Sequence, residues 1–447
     1  MTFVAWIAAV GLLLLLMALS STYIRRLPVT TSIVYLAIGV VIGPAALGWL
    51  QIDLDRDAGW FLRITEVAVV ASLFVGGLKL RLPLRDAAWG APLRLAGPAM
   101  LLTVAGLAAC LAVGLAVAWP LAILAAAMLA PTDPVLAGEV AVAEAADEDR
   151  MRYGLSGEAG VNDGTAFPFV ILGLTWLSHG SPGEWLASWG LSRVLYAVPA
   201  GLAIGYVCGR QIGRLGIVLR QRQRDIHAPS DFLCLALMAL AYAAAESVRA
   251  WGFLAVFAAG VGMRHAERRV ARESPHPSHH QTHPDDHPPA EDVVPEKPDA
   301  GDLAEPTVAA GVLVNETLIF GDTLERLLEV VLVVLVGVLL PQHASITGVF
   351  VAIVLFVLVR PLAVHVALLG TSLTSTQRWL MAWFGIRGIG SLYYLAYART
   401  HGLAGADADL LTGLVLTVIA ASIVTHGVTG QPLLDRYERR LADAGQR

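Results

Sequence analysis

The amino-acid sequence predicts an all-α, polytopic membrane protein with about thirteen transmembrane helices. Hydrophobic residues make up 56% of the 447 residues and charged residues only 15%, whereas soluble domains carry about 25% charged residues. The apolar residues are concentrated in runs of about 18 to 28 residues, which as helices are long enough to cross a hydrocarbon core of about 30 Å. Basic residues are concentrated on alternate loops between these runs, as the topology of a membrane protein requires.

Polar breaks between the apolar runs set the limits of each predicted helix. The first run is predicted to be a retained helix and not a signal peptide, because Arg25 and Arg26 follow it and no basic segment precedes it. The predicted spans are 3–20, 29–50, 61–80, 93–118, 120–143, 152–178, 185–212, 230–248, 251–264, 318–341, 346–370, 377–400 and 408–430.

The distribution of basic residues predicts the orientation of the chain. Most of the 31 Lys and Arg residues lie on one set of alternate loops and in the C-terminal segment. The opposite set of loops carries only a few, which are Arg56, Arg63, Arg193, Arg249 and Arg399. By the positive-inside rule the richly basic side is cytoplasmic. We therefore expect a multi-pass protein of a bacterial inner (plasma) membrane, with its N-terminus outside and its C-terminus in the cytoplasm.

One internal segment has a different composition from the helices. Residues 265–310 are rich in Pro, His, Asp and Glu, which predicts a disordered cytoplasmic loop. No metal site is predicted there, because prolines interrupt its histidines and their spacing is irregular. The predicted organisation is helices 1–9 in residues 1–264, the loop at 265–310, helices 10–13 in 311–430 and a short cytoplasmic tail at 431–447.

The fifth span carries a carboxylate between two prolines, in Pro131-Thr132-Asp133-Pro134. Each proline removes a backbone donor and clashes with the preceding turn, so the helix is expected to break here. Non-helical backbone at this depth is tolerated where it lines a cavity within the protein. Thr132 and Asp133 therefore become candidate ion ligands; the alternative is a proline kink with a capping Asp.

The sixth span carries Glu158, Asn162 and Asp163 close together in the middle of an apolar helix. Glu158 and Asn162 are four residues apart and share one helix face, while Asp163 points about 100° away from Asn162. Ionisable groups at the bilayer centre cost several kcal/mol unless they are paired or hydrated, so they indicate function. A polar helix-packing patch is the alternative interpretation.

The last third of the chain adds two buried arginines. Arg387 lies near the middle of the twelfth span among several glycines, which predicts an interrupted helix. A buried guanidinium needs a carboxylate, and Glu158 is its predicted partner. Arg360 precedes Pro361 in the eleventh span and is predicted to be a supporting buried charge. Its partner is left open, with Glu329 as one possibility.

The two interrupted spans occupy equivalent places in two groups of three helices. Spans 4–6 start from the cytoplasmic side and spans 11–13 from the outside, which is the pattern of an inverted repeat with broken helices meeting at the midplane. No enzyme motif is present: the sequence lacks HExxH and a nucleophile elbow, and its Gly-rich run lacks the context of a dinucleotide site. The three cysteines lack CxxC spacing, and no cofactor is predicted. A passive channel is the alternative for such broken helices.

Taken together, the three motifs resemble those of the cation/proton antiporter family, in particular sodium/proton exchangers of the NhaP type. They are Thr132-Asp133-Pro134, Glu158 with Asn162-Asp163, and Gly385-Ile386-Arg387-Gly388. The resemblance implies an NhaA-like fold, a homodimer in the lipid membrane, and exchange of Na⁺ or K⁺ for H⁺. Neither a nucleic-acid partner nor a metal cofactor is implied.

The resemblance also implies roles for individual residues. Asp163 would bind cation and proton in turn, with Thr132, Asp133 and Asn162 around the ion site. Glu158 and Arg387 would form a structural ion pair. Asn-Asp at 162–163 resembles the electroneutral branch, although Ala159 stands where some relatives have a serine ligand. The alternatives are a K⁺-efflux or a Na⁺-coupled organic-solute transporter of the same fold.

Overall fold

The fold was analysed in a computed structural model, which describes residues 11, 15, 30–83, 85–133, 136, 140, 142, 149–223, 229–273 and 288–445. Across these residues the regular structure is entirely helical, as the sequence predicts. The helices, labelled in chain order, are α1 Thr31–Ile42, α2 Ala58–Lys79, α3 Ala87–Gly114, α4 Trp119–Leu129, α5 Arg150–His179, α6 Trp185–Gln223, α7 Ser230–Ser247, α8 Gly252–Glu273, α9 Pro306–His343, α10 Ile346–Ala367, α11 Ser375–Trp383, α12 Ile389–Thr400 and α13 Gly405–Gly445.

Every predicted span from the second onward overlaps a described helix, although the ends of several helices differ from the prediction by about two turns or more. Six of the described helices are long and apolar enough to cross a membrane: α2, α3, α6, α7, α10 and α13. The first predicted span lies almost entirely outside the described residues, so the count of thirteen stays a prediction.

Glycines let several helices approach until their backbones touch. Gly205 and Gly209 of α6 face the carbonyl groups of Ala255 and Ala259 on α8, where no Cβ would fit. Gly39 of α1 packs in the same way against α9. Small residues at such crossings are how membrane helices gain packing contacts without a hydrophobic driving force. These close pairs form a scaffold beside the interrupted helices.

The predicted break in the twelfth span is present, and the described helix of the fifth span ends where a break is predicted. Helix α4 ends at Leu129, and the chain from Pro131 to Asp133 is non-helical. Helices α11 and α12 are separated by the non-helical residues 384–388. The Asp133 N–H donates a hydrogen bond of 2.8 Å to the Ile386 carbonyl oxygen, so the two breaks contact each other directly. Pro134 lies outside the described residues.

The structure differs from the prediction for residues 265–310 at both ends of that segment. Helix α8 continues to Glu273, and α9 begins at Pro306. Between them, Glu291 accepts hydrogen bonds of 2.9 and 2.7 Å from Arg264, whose side chain is fully buried. A buried guanidinium requires a carboxylate, and this pairing holds residues that composition alone assigns to a flexible loop. The histidines at 276, 279, 280, 283 and 287 lie outside the described residues.

The C-terminal segment also differs from its prediction as a separate short tail. Helix α13 runs without interruption to Gly445. Tyr437 on this extension is buried and donates a 2.6 Å hydrogen bond from its hydroxyl to Asp149, next to α5. The contact explains why the helix continues past the apolar run that hydropathy detects.

Candidate functional site

Three chain segments meet at the crossing of the two helix breaks. They are the non-helical Pro131–Asp133 stretch, the middle of α5, and the break between α11 and α12. Arg387, in the second break, donates a 3.0 Å hydrogen bond from Nη1 to the carbonyl oxygen of Pro131 in the first. The broken helices are therefore tied together by both backbone and side-chain bonds.

Asp133 caps the N-terminus of α12, the helix that follows the non-helical residues 384–388. Its Oδ2 accepts a hydrogen bond from the backbone N–H of Ile389, the first residue of α12, and its Oδ1 accepts one of 3.2 Å from Leu136 N–H. Helix N-termini present unpaired N–H groups and a partial positive charge, which a carboxylate satisfies. Asp133 therefore acts as a capping residue, which is the alternative interpretation of the Pro131–Pro134 motif. The helix that it caps is α12, however, and not the helix in which the motif is predicted to lie.

Thr132 and Asn162 are joined by a short hydrogen bond. Asn162 Nδ2 donates to Thr132 Oγ1 over 2.6 Å, and both side chains are buried. The amide oxygen of Asn162 has no hydrogen-bond partner within the described part of the chain. A buried oxygen without a donor costs free energy unless water or an ion contacts it. This oxygen is therefore a candidate ligand.

Asp163 lies beside the first turn of α12. Its side chain is only 3% exposed, and Oδ1 has no hydrogen-bond partner among the residues described. A Cβ built on Gly390 would lie 2.7 Å from Oδ1 and 3.0 Å from Oδ2 of Asp163. The absence of a side chain at Gly390 leaves room for the carboxylate. The positive end of α12 also faces this carboxylate, which favours negative charge there.

The predicted Glu158–Arg387 pair is wrong. Glu158 pairs with Arg360, whose Nη1 and Nη2 donate to the two carboxylate oxygens, the second over 2.8 Å. Both side chains are at most 2% exposed. Arg360 also donates to the Met381 carbonyl oxygen over 3.2 Å, which connects α10 to α5 and α11. Glu329, the partner considered for Arg360, accepts a 2.6 Å hydrogen bond from Ser32 instead.

The position of Glu158 along α5 explains this exchange of partners. Glu158 precedes Asp163 by five residues, about 7.5 Å along the helix axis. Arg387 lies at the crossing, where it donates its hydrogen bond to Pro131, and it interacts electrostatically with both Glu158 and Asp163. Its guanidinium is fully buried, and Nε and Nη2 have no hydrogen-bond partner in the described ranges. Arg387 thus supplies a fixed positive charge near the carboxylates.

Sequence reasoning did not place three residues beside the Asp163 carboxylate. Besides Gly390, they are Ser391, which is 1% exposed with an unpartnered Oγ, and Tyr394, whose hydroxyl donates to the Asp163 carbonyl oxygen over 2.6 Å. The sequence could have indicated Ser391 as a site residue, because it directly follows the glycine-rich break. Tyr394 gives no such signal, because a tyrosine in an apolar helix is commonly a packing residue.

Three buried oxygen atoms of this site lack a hydrogen-bond donor in the ranges that the structure describes. Asp163 Oδ1, Asn162 Oδ1 and Ser391 Oγ are all buried and lack a hydrogen-bond donor among described residues. Carboxylate, amide and hydroxyl oxygens suit hard cations. Asp163 can equally accept a proton. These oxygens are therefore the candidate contacts for a cation or a proton at this site.

Comparisons with known proteins identify the family of this chain. A family model described as "Sodium/hydrogen exchanger, transmembrane" matches residues 11–280 and 306–436. The chain is 28% identical over 267 residues to a Na⁺/H⁺ antiporter of Saccharomyces cerevisiae, covering 57% of this chain and 26% of that protein. It is 24% identical over 443 residues to the K⁺/H⁺ antiporter NhaP of Alkalimonas amylolytica, covering 96% of this chain and 66% of that one. The chain thus spans less than two thirds of the length of these curated relatives.

The fold itself is similar to that of a solved archaeal protein. The structure of the sodium proton antiporter MjNhaP1 from Methanocaldococcus jannaschii at pH 8 aligns with a TM-score of 0.69 at 18% identity, over 97% of this chain and 98% of that one. A likeness this complete establishes the NhaP-like fold. Together with the family match over both halves of the sequence, it shows that this chain belongs to the sodium/hydrogen exchanger family, which consists of transporters and not of enzymes.

Proposed function

We propose that this protein is a secondary active antiporter that exchanges a monovalent cation, Na⁺ or K⁺, for H⁺ across the membrane. The observation that carries the proposal is the buried Asp163 carboxylate, which has an oxygen without a hydrogen-bond donor at the contact of two helix breaks. The family supports it, as do relatives named as Na⁺/H⁺ and K⁺/H⁺ antiporters.

The mechanism is competition of cation and proton for Asp163. A bare carboxylate in a low-dielectric site is costly, whereas the same group carrying a proton or a cation is close to neutral. The loaded site can therefore move between the two sides, and the empty site is held back. One carboxylate beside one amide, rather than two carboxylates, favours exchange of one cation for one proton.

The neighbouring residues divide the remaining tasks. Asn162 and Ser391 offer neutral oxygens to the cation, and Thr132 holds the Asn162 amide in place. Asp133 stabilises the start of α12, since its carboxylate already accepts two backbone hydrogen bonds. The Glu158–Arg360 pair fixes α5 against α10 away from the ion. By the same proposal the protein is a homodimer of a bacterial inner membrane with a cytoplasmic C-terminus.

The cation is identified by proton-gradient dissipation in everted vesicles that contain the protein. Na⁺, Li⁺ and K⁺ are added separately to acidified vesicles between about pH 6 and pH 9, because the relatives' names include both Na⁺ and K⁺. We expect at least one cation to dissipate the gradient in a saturable way. If none does so at any pH, antiport is contradicted, and Na⁺-coupled uptake of an organic solute becomes the function to test.

Substitution of Gly390 by alanine is expected to weaken cation binding without unfolding the protein. The added methyl group would lie 2.7 Å from Asp163 Oδ1, so the carboxylate must shift away from its other ligands. We expect a several-fold rise in the cation concentration for half-maximal exchange. Gly76→Ala on α2 is the matched control, because a Cβ there meets nothing within 4 Å. Equal affinities of the two variants would contradict the position assigned to the ion.

A further inference from the structure

A basic cleft lies on the predicted cytoplasmic side, away from the ion site. Its volume is about 320 Å³, and it is lined by residues from three parts of the chain. Arg85 comes from the α2–α3 connection, Arg210 from α6, and His265, Arg268, Arg269 and Arg272 from α8. Tyr206 closes one side, with its ring centroid 5.7 Å from that of His265. We call this group of residues the arginine cleft.

Part of the positive charge of the arginine cleft has no acidic partner among the described residues. Arg269 pairs with Glu273 over 2.7 Å. Arg85 and Arg210 form no ion pair or hydrogen bond with any residue the structure describes. Like charges brought together in one cleft repel each other and create a potential that attracts anions. Topology alone requires basic residues on cytoplasmic loops, but it does not require them to converge from three segments.

The positive potential of the arginine cleft also acts on His265. It lies one residue beyond the predicted ninth span, and Nε2 is 3.2 Å from the carbonyl oxygen of Leu82. Burial lowers the pKa of His265, and the charges of Arg268, Arg210 and Arg272 lower it further. Its Nδ1 is buried and has no hydrogen-bond partner in the part of the chain described. An anion in the cleft would relieve this repulsion and favour the protonated ring, in which Nδ1 also carries a hydrogen that it can donate to the anion.

An apolar surface continues from the arginine cleft along α6. Val207, about one turn from Arg210 toward the membrane interior, is 54% exposed. Helix α6 is a candidate membrane span with only 17% of its most apolar window buried within the chain. A ligand at this place therefore meets arginines at one end and a lipid-facing surface at the other. A phospholipid has both parts, whereas a soluble phosphate has only the first.

We propose that the arginine cleft binds the phosphate headgroup of an anionic phospholipid of the cytoplasmic leaflet, with the acyl chains along the exposed side of α6. Arginine is well suited to this role because its planar fork donates two hydrogen bonds to phosphate oxygens. Basic pockets between transmembrane helices on the cytoplasmic side are a known form of lipid recognition. The proposal is independent of the ion that the protein transports.

The test measures lipid binding to the purified full-length chain in detergent. Phosphatidylglycerol and phosphatidylcholine are titrated separately, and bound lipid is counted by native mass spectrometry. The variant Arg85→Gln/Arg210→Gln removes two cleft charges that form no internal ion pair. Its control, Arg222→Gln/Arg440→Gln, removes the same net charge from exposed positions outside the cleft. Both variants are checked for monodispersity and for thermal unfolding in phosphatidylcholine.

We expect the wild type and the control to prefer phosphatidylglycerol, and the cleft variant to bind it about tenfold to thirtyfold more weakly. Unchanged affinity of the cleft variant would overturn the proposal. Complete displacement of the lipid by millimolar inorganic phosphate would overturn it as well, because the ligand would then be a soluble anion. If the cleft variant does not fold, the affinities of the wild type for the two lipids are compared instead. Equal affinity for phosphatidylglycerol and phosphatidylcholine would exclude headgroup recognition.

Discussion

Vesicles that contain Asp163→Asn are expected to show no cation-dependent proton exchange above the level of empty vesicles. Asparagine has nearly the same shape as aspartate but can neither carry a negative charge nor release a proton near neutral pH. The cation thus loses its only charged ligand in the proposed set, and the proton loses its acceptor. The measurement is dissipation of a proton gradient by the cation that works best with the wild type.

The control for this experiment is Asp409→Asn, the same chemical change at an exposed position of α13. It should retain wild-type exchange. Asp163→Glu keeps the charge but moves it by one methylene, and we expect partial activity with an altered cation affinity. Normal, pH-dependent exchange by Asp163→Asn would contradict the competition mechanism and the placement of the ion.

Neutralising either member of the Glu158–Arg360 pair is expected to cost about 3–5 kcal/mol of folding stability, because the remaining charge is buried without its partner. Glu158→Gln and Arg360→Met each remove one charge from a pair in which both side chains are at most 2% exposed. We therefore expect a low yield of folded protein and a large fall in the temperature of unfolding. Tryptophan fluorescence during thermal unfolding in detergent measures the change.

A double-mutant cycle separates the observed pairing from the predicted one. Combining Glu158→Gln with Arg360→Met should recover much of the lost stability, since no unpaired charge remains. Combining Glu158→Gln with Arg387→Gln should not, because Arg387 contacts Pro131 and not Glu158. A larger coupling energy with Arg387 than with Arg360 would contradict the structure.

An exposed ion pair provides the energetic reference for that cycle. Arg63 and Glu66 on α2 are 2.8 Å apart, but the Arg63 side chain is 76% exposed. Surface pairs contribute about 0–1 kcal/mol because water and salt screen them. Arg63→Gln should therefore change the unfolding temperature little. A small effect of Arg63→Gln beside a large effect of Glu158→Gln would show that burial, and not the loss of an ion pair as such, causes the loss of stability.

The sequence by itself predicted an all-helical membrane protein and the places where two of its helices end or are interrupted. A bilayer imposes a length on every crossing segment, and an unpaired backbone group inside it is costly, so hydropathy indicates where helices cross although it does not fix their ends. Pro131 and the glycines around Arg387 indicate the breaks, because proline removes a backbone donor and glycine destabilises a helix interior. Both effects are local and can therefore be recognised in the sequence. The rarity of charge in such segments also singled out Asp133, Glu158, Asp163 and Arg387.

Only the tertiary structure decided which of these groups contact one another. Residue types show that a buried arginine needs a carboxylate. Two arginines, Arg360 and Arg387, were possible partners of Glu158, and helix packing fixes the depth of each guanidinium. Likewise, Asp133 is occupied by the N–H groups of α12, and Gly390 leaves the space beside Asp163. These contacts join residues more than 200 positions apart. Their geometry depends on how α5, α10 and α12 pack together, and no local pattern in the chain encodes it.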